Sequence, residues 1–205
     1  MQKKQKVVIL GATGSIGNST LSVIEHNPEK YEAFALVGGS NVDAMFEKCV
    51  KFRPHFVALA DESAAKHLRE KVAAYQLSTQ VLAGQQAICE LSAHPDADMV
   101  MAAIVGAAGL LPTLSAVKAG KKVLLANKEA LVTCGQIFID AVKRYGAQLL
   151  PVDSEHNAIF QSLPPQAQQQ IGFCLLADLG ISKIVLTGSG GPFRYTDLSE
   201  FDGIT

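Results

Sequence analysis

In the segment Leu149-Leu150-Pro151-Val152-Asp153-Ser154-Glu155-His156-Asn157, an apolar run ends in two carboxylates that flank a hydroxyl. Hard divalent cations take carboxylate oxygens and leave other positions to substrate or water. An Asp-x-Glu at a strand exit therefore suits a cation and a substrate oxygen held together. The same residues also suit the acidic start of a helix, with Asp153 as cap and Glu155 in the first turn. A second polar cluster, Asn127-Lys128-Glu129, follows the apolar stretch Leu124-Leu125-Ala126. Lys128 can bind substrate oxygens or steady developing negative charge, and Asn127 can orient a nicotinamide or a ribose. A helix-capping Asn beside a surface ion pair is the plainer account of that cluster.

Gly11-Ala12-Thr13-Gly14-Ser15-Ile16-Gly17 follows a short strand and opens a helix, the context that turns a glycine pattern into a nucleotide hypothesis. Gly11 permits a tight turn, Gly14 the close approach of a pyrophosphate, and Gly17 the packing of helix on strand. Backbone N–H groups of Thr13, Gly14, Ser15 and Ile16 then face phosphates at the positive end of the helix. A plain strand-to-helix turn explains the same residues without a ligand. Cofactor choice is read at Val37-Gly38-Gly39-Ser40-Asn41, where an acidic residue would bind a ribose 2′-hydroxyl and repel a 2′-phosphate. None occurs before Asp43, and Ser40 and Asn41 can donate to a phosphate, which favours NADP. A glycine turn with an Asn-assisted helix cap fits that segment too. Gly188-Ser189-Gly190-Gly191-Pro192 suits either an anion-binding concavity, with Ser189 as an added donor, or a mobile linker. His156 suits a supporting role better than a metal ligand. Cys134 follows Leu131-Val132-Thr133, which reads as helix packing.

These residues need a scaffold, and the chain alternates short β-branched runs with longer amphipathic segments. Strands are expected over residues 6–10, 34–37, 56–59, 80–82, 99–102, 123–125 and 148–151. Helices are expected over 16–26, 42–52, 62–75, 85–92, 111–119 and 131–145. Several strands are apolar on consecutive residues, as a parallel sheet covered on both faces requires. The fold class is α/β, a doubly wound, mostly parallel Rossmann-like sheet, with its ligand beyond the carboxyl ends of the strands. After Pro151 the pattern changes: a helix-like stretch over 156–162 stops at Pro164-Pro165, a glutamine-rich stretch follows, and a strand is expected over 184–187. Residues 1–151 read as a dinucleotide-binding domain and 152–205 as the start of a second, α+β domain, truncated by the end of the sequence.

Composition narrows the partners. With 48% hydrophobic and 18% charged residues among 205, the chain can bury a sizeable core, and a formal net charge of −1 gives no support to nucleic acid or a membrane surface. Cys49, Cys89, Cys134 and Cys174 lack CxxC spacing, which fits a reducing, cytoplasmic setting. No apolar segment approaches the roughly 20 residues that span a bilayer.

Taken together, the glycine loop, Ala103-Ile104-Val105-Gly106-Ala107-Ala108-Gly109-Leu110, Leu125-Ala126-Asn127-Lys128-Glu129-Ala130-Leu131-Val132, the segment from Pro151 to Gln161 and Leu186-Thr187-Gly188-Ser189-Gly190-Gly191-Pro192-Phe193 closely resemble the 1-deoxy-D-xylulose 5-phosphate reductoisomerase family. The resemblance spans the whole chain. It implies an enzyme of the non-mevalonate isoprenoid pathway that uses NADPH and a divalent cation (Mg2+, Mn2+ or Co2+). Its reaction converts 1-deoxy-D-xylulose 5-phosphate to 2-C-methyl-D-erythritol 4-phosphate. By that resemblance Asp153 and Glu155 are two of three carboxylate metal ligands and, with Lys128, form the catalytic group. Lys128, Ser154 and Glu155 contact substrate, and Ser189 contacts its phosphate. Thr13, Gly14, Ser15, Ile16, Gly39, Ser40, Asn41, Asn127 and Glu129 contact NADPH, and a homodimer is implied. Ser40 stands where family members commonly carry a lysine beside the 2′-phosphate. Losing such a charge-assisted contact costs about 1 to 3 kcal/mol and weakens NADP preference.

Two other readings compete. A dehydrogenase of the aspartate-semialdehyde type also opens with a strand and a Gly-Ala-Thr-Gly loop, but needs a catalytic cysteine in a loop, and Cys134 falls inside an expected helix. A non-enzymatic dinucleotide sensor would bind cofactor with no use for Asp153 or Lys128. In the family, the third metal carboxylate, the lid and further phosphate contacts come from sequence beyond these 205 residues. The chain alone is therefore expected to be catalytically incomplete; measurable turnover by a purified chain of this length would overturn that expectation.

Overall fold

Consecutive apolar residues in a strand alternate between the two faces of a sheet, so Val7 and Ile9 enter one core layer while Val8 and Leu10 enter the other. The computed structural model describes residues 3–126, 128–185, 193 and 195–203. Within them the chain runs β1 (Gln5–Leu10), α1 (Ser15–His26), β2 (Tyr31–Gly38), α2 (Val42–Phe52), β3 (Phe56–Leu59), α3 (Glu62–Ala74), β4 (Gln80–Ala83) and α4 (Gly84–Ser92). It continues with β5 (Met99–Ala102), a 3-10 turn Ala107–Gly109, α5 (Leu110–Lys118), β6 (Lys122–Leu125), α6 (Glu129–Tyr145), β7 (Gln148–Pro151), α7 (Ser154–Ser162) and α8 (Pro165–Gln169). The strands form one seven-stranded sheet in the order β4-β3-β2-β1-β5-β6-β7, with every pairing parallel.

Leu21 and Ile24 of α1, Met45 and Cys49 of α2, and Leu68 and Val72 of α3 pack on one face, against Val7, Ile9, Leu36, Val57 and Leu59. Ile88 and Leu91 of α4, Ala116 and Val117 of α5, and Phe138 and Val142 of α6 pack on the other, against Val8, Leu10, Phe34, Val37 and Val123. Each fully buried Leu, Ile, Val or Phe contributes about 1.5 to 3 kcal/mol relative to exposure. The Cys49 thiol is part of this core, and burial pushes its pKa up to about 11. By its internal contacts the chain divides into two compact units, Met1–Cys174 and Leu175–Thr205. In the second, 3-10 turns run over Leu176–Leu179 and Leu198–Gly203, and Phe193 meets Phe201 edge-on at 6.3 Å between centroids.

Several expected boundaries differ. β2 begins at Tyr31, because residues 31–33 pair with the start of β1 across an irregularity between Val7 and Val8. That pairing leaves one Glu32 carboxylate oxygen buried with no hydrogen-bond partner among the described residues. Pro164-Pro165 was expected to be a break only, yet Pro165 opens α8, since a proline at the first helical position loses no intrahelical bond. α6 is not continuous: Cys134 has φ −135° and ψ 31°, a break inside the helix expected over 131–145. Val132, expected to pack, is 83% exposed. Of the strand expected over 184–187, residues 184 and 185 adopt no strand, and 186 and 187 lie outside the described residues.

Gly11 and Gly17 set the first turn. A Cβ at Gly17 would lie 2.3 Å from the Gly11 carbonyl oxygen and 2.7 Å from Ala12 Cα, whereas one at Gly135 in α6 would meet nothing within 4 Å. Gly17→Ala is expected to destabilise the chain by about 1 to 3 kcal/mol by forcing backbone apart. Gly135→Ala is expected to stabilise it by about 0.5 to 1 kcal/mol. Urea-unfolding midpoints of the two variants should move in opposite directions.

Candidate active site

The four strands on one half of the sheet end level with one another. Leu10 pairs with Ala102, Ala102 with Leu125 and Leu125 with Pro151, a single row across β1, β5, β6 and β7. The pairing continues one residue further on each side: Ala103 N–H donates to the Leu10 carbonyl at 3.0 Å, Ala126 to Ala102 at 3.1 Å and Val152 to Leu125 at 2.9 Å. The glycine loop, the turn after β5, the Lys128 turn and the Asp153 turn therefore leave the sheet along one edge. The chain's direction of travel across the sheet reverses between β1 and β5, where doubly wound folds leave a crevice.

At that reversal the glycine loop sits tight. Gly11 has φ +85°, and a Cβ there would come within 2.6 Å of the Ala103 carbonyl oxygen. The Gly11 and Ala12 amides donate to the Val37 carbonyl at 3.0 and 2.8 Å, tying the loop to β2. Gly14 N–H, expected to face phosphates, donates instead to the Gly11 carbonyl at 3.0 Å. The amides of Ser15 and Ile16, at the start of α1, have no intrahelical acceptor and lie on exposed residues. A Cβ at Gly14 would meet only Gly11 oxygen, at 3.4 Å, an ordinary contact. Glycine at 11 and 17 is thus required by the protein's own backbone, while glycine at 14 leaves exposed surface free of a side chain.

β2 ends at Gly38, Gly39 and Ser40 are exposed, and Asn41 caps α2 through its Oδ1, which accepts from the Ala44 N–H at 3.1 Å. The cap and a cofactor contact are compatible, because the Asn41 amide nitrogen is not used by the cap.

The charged end of the site is built by the β6 and β7 exits. Lys128 Nζ donates to Asp153 Oδ2 at 3.2 Å, and His156 Nδ1 lies 2.9 Å from Asp153 Oδ1. Asp153 stands at the N-cap position of α7 without capping it, its oxygens turned to Lys128 and His156 instead. The Lys128 ammonium, then His156, hold the Asp153 carboxyl down to about 2, and the hydrogen bond to Asp153 raises the Lys128 pKa. Ser154 Oγ donates to Glu155 Oε2 at 2.8 Å, and Glu155 is exposed in the first turn of α7. Asn157 fastens this turn, with its side-chain amide donating to the Pro151 carbonyl at 2.7 Å and its N–H to the Asp153 carbonyl at 2.8 Å. His156 thus sits in the supporting position expected of it, with Asp153 as the residue it supports, whereas Asn157 was not singled out. For His156 the available signal was a His three residues after a helix-capping Asp.

Lys128, Asp153, Ser154 and Glu155 are thus brought together, and Glu129 opens α6 beside them. The predicted contacts Asn127 and Ser189, with all of residues 188–192, lie outside the described residues. Among the described residues no three His, Cys, Asp or Glu side chains converge as a metal site. Asp153 and Glu155 nevertheless offer the hard oxygen donors that suit Mg2+ or Mn2+. Among the described residues no helix is long and apolar enough to cross a membrane.

Residues 7–135 match the family model for 1-deoxy-D-xylulose 5-phosphate reductoisomerase, and residues 149–205 match that for the C-terminal domain of the same enzyme. A 1-deoxy-D-xylulose 5-phosphate reductoisomerase of Haemophilus influenzae (strain PittGG) is 76% identical over 203 residues, 99% of this chain and 51% of the relative. One from Haemophilus ducreyi is 72% identical over 201 residues, covering 98% of this chain and 51% of its own. A crystal structure of DOX-P reductoisomerase with NADPH, fosmidomycin and magnesium superposes with a TM-score of 0.87 at 42% identity, covering 98% of this chain and 49% of that one. The Zymomonas mobilis enzyme in complex with NADPH gives 0.83 at 43% identity, covering 98% and 50%. The chain spans about half the length of the curated relatives it matches.

In metal-free protein the Asp153 carboxyl should remain ionised until the pH falls toward about 2, below the ordinary 3.8. Its contribution to stability is then present above pH 3.8 and lost as the pH drops through the lowered value. Lys128→Met should raise the Asp153 midpoint toward the ordinary range, as read by carboxyl 13C NMR; an unmoved midpoint would contradict the pairing.

Proposed function

The chain belongs to the 1-deoxy-D-xylulose 5-phosphate reductoisomerase family, and from that membership we propose that it carries the NADPH-binding half and the opening of the metal and substrate domain of such an enzyme. The reaction is conversion of 1-deoxy-D-xylulose 5-phosphate to 2-C-methyl-D-erythritol 4-phosphate, in a cytoplasmic homodimer that supplies isoprenoid precursors. Residues 152–205 open the catalytic domain in this reading. The observation that carries it is the common row of strand ends, which delivers the glycine loop and the Lys128–Asp153 pair to one edge of the sheet.

The residues divide the work by chemistry. Thr13, Ser15 and Ile16 offer N–H groups at the positive end of α1 to the cofactor's pyrophosphate, and Gly14 gives it room. Gly39, Ser40 and Asn41 line the end of β2 toward the 2′-phosphate, and Asn127 and Glu129 hold the nicotinamide end. Asp153 and Glu155 would hold the divalent cation, with Ser154 and Lys128 on the substrate's oxygens and Ser189 on its phosphate. When bound, the cation polarises substrate oxygens and NADPH supplies hydride to the rearranged aldehyde. Lys128, like any exposed lysine, is cationic at neutral pH, and its hydrogen bond to Asp153 raises its pKa further. Its role is fixed positive charge toward developing alkoxide, not proton abstraction.

A full-length enzyme carrying these residues should oxidise NADPH with 1-deoxy-D-xylulose 5-phosphate only when a divalent cation is supplied. Lys128→Ala should lower kcat by about 100- to 1,000-fold while leaving NADPH fluorescence on binding unchanged. Cation-independent oxidation would refute the metal assignment, and full activity in the Lys128 variant would refute the role of that charge.

A further inference from the structure

The two faces of the sheet are not covered alike. Crossovers between parallel strands are right-handed. The run from β1 outward to β4 therefore lays α1, α2 and α3 on one face, and the run from β5 to β7 lays α5 and α6 on the other. Among the described residues, the face that carries α1 consequently has no helix lining it over β6 and β7. Leu124, Leu150 and Val152 are only half-buried there, unlike the fully buried strand residues beneath α2 and α3. With Met101 and α1 they line an apolar groove of about 400 Å3.

α1 forms the wall of that groove with a regular stripe. It turns Leu21 and Ile24 onto the sheet, but presents a second line, Ile16, Ser19, Thr20 and Val23, to the groove. These positions recur every three to four residues, the spacing of one helix face, and the small Ser19 and Thr20 in the middle allow a second helix to come close. Ile16 is 39% exposed and Val23 is 55% exposed. Apolar residues on a surface stripe are explained if that stripe is covered, and parallel sheets are ordinarily buried on both faces. Lys122 stands at the rim and forms no ion pair among the described residues.

We propose that an amphipathic helix from the second half of the full-length family chain lies in this groove alongside α1, its apolar face on Met101, Leu124, Leu150 and Val152 and an acidic side chain toward Lys122. The curated relatives carry about as much chain again as is spanned here, so an occupant is available within one polypeptide. The helix completes the layer that the strand order leaves open. This inference rests on family membership and is independent of the catalytic roles assigned above.

Thiol labelling tests it. A cysteine at Val23, already exposed, disturbs no packing, and one at exposed Glu70 on α3 serves as control. In the present chain, maleimide should label Val23→Cys and Glu70→Cys at similar rates, resolved by peptide mass spectrometry from the native cysteines. In the full-length Haemophilus influenzae relative, with cysteines at the matching positions, the Val23 site should react at least about tenfold more slowly while the Glu70 site is unchanged. Turnover by that enzyme verifies its fold. Equal labelling of the Val23 site in the two proteins overturns the proposal. So does protection in the short chain that grows with its concentration, because the occupant is then a second copy.

Discussion

No side chain fits between the first strand-to-helix turn and the exit of β5. The Gly11 α-carbon faces the Ala103 carbonyl oxygen, and Gly17 in turn backs onto the Gly11 carbonyl, so three stretches of backbone meet with no spacer. Because β1 is also paired with β2 through Val37, this contact fixes the glycine loop against both halves of the sheet at once. The parallel register then carries the position outward: Ala102 sets Leu125, Leu125 sets Pro151, and the Lys128 and Asp153 turns follow. Placement of the polar groups thus descends from a backbone contact that involves none of them.

The charges at the far end are arranged to be strong without being buried. Asp153 keeps only a fifth of its side chain exposed, while Lys128 remains largely in water. Exposed pairs of this kind add little to stability. Their value lies in electrostatics: the carboxylate stays anionic, the ammonium stays cationic, and the His156 ring sits on the second oxygen. Such a group can exchange partners: in the proposed reading, the oxygens that face Lys128 and His156 would pass to a divalent cation.

Much of this was legible in the residues. β3, β5, β7 and α2 begin and end where they were expected, and for β3 and β5 the reason is that a strand of consecutive apolar residues has no polar residue within it to blur its limits. The glycine loop announced its own turn, and the clusters around Lys128 and Asp153 were recognisable as strand exits. Their direct contact was not, since the two residues are 25 apart in sequence and meet only through the pairing of β6 with β7. The break at Cys134 was hidden because Leu131-Val132-Thr133 has helical character whether or not the helix continues. The open groove was equally hidden: Leu124 and Leu150 read as core residues, and a sequence of apolar strands does not say which face lacks a helix.

The central position of β1 also fixes an order of events during synthesis. On one side β1 pairs with β2, the next strand made, but on the other it pairs with β5, which begins only at Met99. Until Ala102 has left the ribosome, β1 is an edge strand whose last four residues, Val7 to Leu10, are all apolar, with open hydrogen-bonding groups of the kind that recruits other chains. Long-range parallel pairings close slowly, so this interval is extended. The two walls of the crevice between β1 and β5 are therefore made at different times, and the nascent chain is most vulnerable to aggregation before the second wall exists.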